Sequence, residues 1–213
     1  MSTVKSDENT MTLSSDNYSL DLSMKTSDFA SEKQQDKFIK TCKRLVRGST
    51  EYRYWVEYLK DTLSHTSCEL TGESSEQTSI DIHHHPICLY AMIKGVVYKY
   101  LANHKEFTSF DICEKVLELH YSNKVGYLPL LSNLHEKHHN GFLDLPIELI
   151  HGNYQALIEE YTPLWDEDDI EIINDRLSIN KSNCHWVNGE YFWKKDGYGD
   201  TKREPSGCTS LNI

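Results

Sequence analysis

No stretch of the 213-residue chain approaches the roughly 20 apolar residues that a membrane-spanning helix requires. The opening Met1-Ser-Thr-Val-Lys5 leads into polar sequence instead of an apolar leader. The expectation is a soluble, intracellular protein with no membrane partner. No C-x-x-C pair occurs: the six cysteines, at 42, 68, 88, 113, 184 and 208, are too scattered for a zinc ribbon or a dense disulfide framework. Reduced thiols and a cytoplasmic setting are therefore expected. Positive charge is also short, with 22 Lys and Arg against 33 Asp and Glu and a formal net charge of −11, which excludes a broadly basic nucleic-acid coat. Internal repeats are absent.

Aromatic residues and histidine are what the chain does have. Thirteen Tyr and four Trp can supply much buried area. The eleven histidines are an unusual count, and most lie between His83 and His151, so function is sought there first.

Composition divides the chain into three parts. Residues 1–35, rich in Ser, Thr, Asp and Asn, read as a disordered polar tail. Residues 36–175 read as a mainly helical α+β domain, and 176–213 as a C-terminal extension. Helical spacing of Phe38, Cys42, Leu45 and Val46, resumed by Tyr52, Trp55, Val56, Leu59 and Leu63, predicts two helices or one bent near Gly48-Ser49. Lys40, Lys43, Arg44 and Arg47 would form one basic stripe there, a candidate phosphate-facing substrate surface. A short strand is expected over 79–83 and a helix through Leu89 to Tyr100. A second helix opens on a Thr108/Asp111 capping box, and a strand lies within 122–131. Ser132 is a candidate cap for a helix over 133–139 that Asn140-Gly141 ends. Cys184-His-Trp-Val and Glu190-Tyr-Phe-Trp flank Asn188-Gly189, which predicts an aromatic hairpin.

Two motifs gather the histidines, Ile80-Asp-Ile-His-His-His-Pro86 and Leu130-Leu-Ser-Asn-Leu-His-Glu-Lys-His-His-Asn-Gly141. On a helix, His135 and His139 project from one face a turn apart, so two imidazole nitrogens can reach one metal at about 2.0–2.1 Å. A strand sends successive side chains to opposite sides, so His83 and His84 reach one atom only if the strand ends there, as Pro86 suggests. Three nitrogens with an open fourth position is the arrangement of a catalytic metal. The register among His83, His84 and His85 is open at this level.

These motifs resemble the HNH, or His-Me finger, nucleases, and within them the colicin-type domains. Ile80-Asp-Ile-His83-His84 matches the lead-in and histidine pair, and His135-Glu-Lys-His-His139-Asn-Gly141 the terminal helix. The likeness covers about 60 residues. Gly126 stands where that family carries its asparagine, about nine residues before His135, and about forty residues of helical sequence separate the two halves.

The resemblance implies a small ββα-metal motif interrupted by a helical insertion. One divalent ion (Zn, Mg or Mn) would be held by His83, His135 and His139, with His84 as general base for phosphodiester hydrolysis. Nucleic acid would be the partner, DNA before RNA. The rival expectation is a non-catalytic zinc-stabilised protein-interaction module, whose partner would meet Trp186, Tyr191, Phe192 and Trp193.

Overall fold

Apolar residues spaced at three and four organise the first half of the chain. In α1 (Glu32–Gly48) they bury Ile39, Cys42 and Val46, and the Ser31 side chain caps the helix by accepting from the Gln34 N–H. The computed structural model describes residue 29, residues 31–74, 79–103 and 106–182, and the backbone of 186–187 and 190–191. Among these, Phe29 is buried against Phe38 and Phe107, with ring centroids 5.3 and 5.6 Å away. Ordered structure therefore begins before residue 36, because one aromatic side chain anchors the segment ahead of α1. The expected disorder of residues 1–28 lies outside the described residues.

Ser49 ends one helix and starts the next. Its N–H donates to Val46 O, while its hydroxyl oxygen accepts from the Tyr52 N–H at the start of α2 (Thr50–Glu57). A π-turn over Tyr58–Thr62 follows. The central helix, α3 (Leu89–Ala102), is buried nearly all round, as its apolar run requires. It packs on α1 and on α4 (Ser109–Tyr121), whose Thr108/Asp111 capping box forms as expected. Two shorter helices, α6 (Tyr154–Tyr161) and α7 (Glu167–Ser178, capped by Asp166), complete the helical body.

Strand β1 (Ile80–His84) pairs antiparallel with β2 (Tyr127–Leu131), Ile80 opposite Leu131 and His84 opposite Tyr127. α3 and α4 are the excursion between them, and α5 (Ser132–His139) follows β2 without a loop. The result is mixed α+β and mostly helical with a small sheet. Beside α5 the sheet has its own apolar cluster, including Cys68, Leu70, Leu128, Leu130, Leu134 and Leu145, separate from the large core around α3. A further pair, β3 (Trp186–Val187) and β4 (Glu190–Tyr191), forms the expected C-terminal hairpin, while its Asn188-Gly189 turn lies outside the described residues.

Cys42, Cys68 and Cys113 are free thiols, but Cys88 is disulfide-bonded, against the expectation of reduced cysteines throughout. Among the described residues no helix is long and apolar enough to cross a membrane.

Candidate metal centre

Strand alternation sorts the first histidine motif. Asp81 and His83 face α5, His84 faces the other way, and His85 returns to the first side where the strand ends. α5 is pinned at its start by Ser132, which is the first residue of the helix instead of its cap. Its N–H and its hydroxyl both donate to Ser79 O, at 3.1 and 3.3 Å. At its end Gly141 takes a positive φ of 74°, and its N–H donates to His138 O. This turn brings the chain back so that Leu143 O accepts from His138 Nδ1 at 2.7 Å.

Five imidazoles converge between β1 and α5. The His83 ring centroid lies 4.8 Å from those of His135 and His138 and 5.1 Å from that of His139, and His85 lies 5.3 Å from His138. Two overlapping triads, His83/His135/His139 and His83/His85/His138, each bring one ligand atom per residue within 4.8 Å of the others. The Nε2 atoms of His135 and His139 are 2.9 Å apart. Two nitrogens at bonding distance from one ion stand about 2.9–3.4 Å apart for right-angled to tetrahedral geometry.

The surroundings suit a ligand set. His135 Nδ1–H donates to the Asp81 carboxylate at 3.0 Å, and His138 Nδ1–H to the Leu143 carbonyl, so each ring keeps its Nε2 lone pair. The His135 hydrogen bond holds the Asp81 carboxyl below its usual value. Burial pushes His83 and His85 well below the ordinary imidazole range and brings His138 down to about 3. These rings are therefore neutral at pH 7, the form that binds metal. His83 Nε2 and both nitrogens of His85 are buried without a hydrogen-bond partner. Each such group costs on the order of 1–3 kcal/mol, so their presence calls for an occupant.

Of the residues singled out from the sequence, His83, His135 and His139 come together and His84 does not join them. His84 is buried against the rings of Tyr52 and Trp55, and its Nε2 meets His120 Nε2 at 2.9 Å. His120 Nδ1–H donates to Val116 O, so its Nε2 accepts the proton of His84. Of the expected basic stripe, Lys43 is only 6% exposed, on the α1 face turned towards the core, while Lys40 is exposed and paired with Asp36 at 2.8 Å, Arg44 is exposed and donates to Thr41 Oγ1 at 3.4 Å, and Arg47 is half-buried.

Gly126 leaves room for the backbone of His85, which passes beside it. A Cβ there would lie 2.1 Å from His85 O, while Gly126 O accepts from the His85 N–H at 3.0 Å.

His85 and His138 are members of the cluster that residue spacing alone did not select. The third residue of the His83 run and the i, i+3 partner of His135 were the available signals.

The family model described as Bacteriophage G278-like virion protein matches residues 1–196. No curated protein and no solved structure matches the chain.

Proposed function

The chain belongs to the Bacteriophage G278-like virion protein family, and we propose that it serves as a non-catalytic, zinc-stabilised component of the phage particle. The ion is held by His83, His135 and His139, with His85 and His138 closing the inner side. One observation carries this reading: the Nε2 atoms of His135 and His139 meet at 2.9 Å beside His83, whose buried Nε2 has no hydrogen-bond partner. Imidazole donors suit zinc and its neighbours, whereas magnesium prefers oxygen. Such an ion ties β1 to the helix that follows β2, across about fifty intervening residues. The small apolar cluster beneath that joint is what it supplements. Protein contacts within a particle fall, on composition, to the aromatic residues Trp186, Tyr191, Phe192 and Trp193.

The test is metal content of the purified chain together with thermal unfolding before and after chelation. About one zinc per chain at this centre is expected, absent from His83→Ala and His139→Ala. At a thousand-fold excess over Kd the ion adds about 4 kcal/mol of stability. An unchanged transition after chelation, with no ion retained, removes the reading.

A second reading, a metal-dependent nuclease of the HNH type, is favoured by a separate observation. β1, β2 and α5 follow in ββα order, with ligands on the first strand and the helix, and His135 and His139 are part-exposed. Its supporting result is cleavage of DNA or RNA that needs Mg²⁺, Mn²⁺ or Zn²⁺ and is lost in His135→Ala. Because the His84 proton is committed to His120, that mechanism would need a base other than His84.

A further inference from the structure

The reverse face of the sheet carries another group with ligand chemistry. Tyr127 stands opposite His84 in the ladder, so the two side chains share a face, and Trp55 touches both, at 5.5 and 5.8 Å between ring centroids. Beyond Tyr127 lie His65, Glu69 and His151, contributed by two segments, the stretch that follows the π-turn and the loop ahead of α6. Their potential ligand atoms all fall within 4.8 Å of one another. The two imidazoles are 4.3 Å apart between centroids, and His151 Nε2 is 2.7 Å from Glu69 Oε1.

Each segment is fixed by backbone hydrogen bonds, so the group is held before any ligand arrives. His65 N–H donates to Leu59 O at the end of the π-turn, and Glu69 N–H donates to Pro129 O on β2. His151 exchanges both backbone bonds with Tyr127, at 2.8 and 3.1 Å. The Tyr127 ring stacks on His151 and meets His65 edge-on, which sets the orientation of both imidazoles. His65 Nε2 also lies 3.5 Å from the Tyr127 hydroxyl, which holds the second imidazole beside the His151–Glu69 pair. The side chains of Glu69 and His151 are 30% and 34% exposed, unlike the buried rings of His83 and His85.

We propose that His65, Glu69 and His151 form a second metal site, taking a divalent first-row transition ion such as zinc through two imidazole nitrogens and one carboxylate oxygen. Two nitrogens and one oxygen leave at least one coordination position for water or an exogenous anion, and the part-exposure of Glu69 and His151 leaves that position within reach of solvent. Tyr127 is its positioning residue. The site rests on residues that the α5 centre does not use, and the two can fail independently.

The experiment strips the full chain of metal and titrates it with Co²⁺ and, by competition with a chromophoric chelator, Zn²⁺. The wild type is expected to bind two ions. Glu69→Gln and His151→Ala should bind one, each losing more than about 100-fold in affinity at the altered site, since even outer-shell changes cost 10–100-fold. His135→Ala should keep the open site, with the visible absorption of Co²⁺ that disappears when Glu69→Gln is added. Glu69→Gln is nearly isosteric and part-exposed, so it also guards against misfolding of His151→Ala, with circular dichroism as the check. A wild type whose uptake is the same as that of Glu69→Gln overturns the proposal. One ion that survives His135→Ala but not Glu69→Gln supports it and removes the α5 centre instead.

Discussion

His83, His84 and His85 are neighbours in the chain and meet different fates on the two sides of one short strand. On the α5 side, His83 and His85 carry buried nitrogens with no partner and face other imidazoles. On the opposite side, His84 is satisfied by His120, whose second nitrogen is satisfied by Val116 O, and aromatic rings cover both. The residue type is the same and the burial is the same. What separates them is the supply of partners: one face has a closed hydrogen-bond chain, and on the other His83 Nε2 and both nitrogens of His85 are left without one. A buried histidine marks a ligand site when its neighbours leave its nitrogens unpaired, and a structural one when they do not.

The harshest way to break this comparison is to move the strand end that carries both faces. Gly126→Asn restores the residue that the HNH pattern has at that position and drives a Cβ to within 2.1 Å of His85 O. Backbone lies on both sides of the contact, so relief requires β1 and β2 to separate near His85. A loss of about 3 kcal/mol or more is expected. For a chain of this size that is a fall in Tm of about 6–12 °C by calorimetry. Full stability in this variant would show that the glycine is not holding the strands together.

Much of this frame was legible in the sequence, because the signals were local. The Thr108/Asp111 box, the break at Gly48-Ser49 and the end of α5 at Asn140-Gly141 each depend on backbone groups within four residues. Partner choice was not legible. Periodicity placed Lys43 in a basic stripe, yet it lies on the α1 face turned towards the core. Ser132 carried the signature of a helix cap, but the approach of Ser79 across the sheet claimed its donors. In the centre, His135 and His139 were readable from helix geometry, whereas His83 was singled out from its two neighbours only by the resemblance to the HNH pattern. His85 and His138 needed the position of α5 over the strand, which pairing at a separation of about fifty residues determines. His65, Glu69 and His151 belong to no motif, since loops bring them together.

A milder disturbance tests the satisfied face alone. His120→Leu removes the acceptor of His84 and leaves that proton unpaired in an apolar setting, at an expected cost of about 1–3 kcal/mol. Metal content at the α5 centre should stay the same. The pH dependence should change as well. Burial lowers the His120 pKa to about 4, so between the unfolded value near 6.5 and about 4 the unfolded chain binds one more proton than the folded one. Stability due to His120 is thus fully present above pH 6.5 and falls as the solution is acidified towards pH 4, at up to about 1.4 kcal/mol per pH unit. In His120→Leu that slope should lessen by one proton, measured by denaturant unfolding across the range. An unaltered slope would mean that His120 is not buried as a neutral ring.

The finest test falls on the other face and spares the fold. Asp81 is 40% exposed and touches the centre only through His135 Nδ1. Asp81→Asn keeps the shape and an acceptor oxygen but removes the charge that raises the basicity of the ring. Affinity for zinc should drop 10–100-fold, as for other carboxylates behind a metal-bound histidine. Thermal stability of the metal-free chain should move by less than about 0.5 kcal/mol, since an exposed charged hydrogen bond contributes little. The two readouts together separate a positioning role from a structural one. Loss of apo stability with unchanged zinc affinity would make the Asp81–His135 contact a fold contact, and the two faces of the sheet would then be alike.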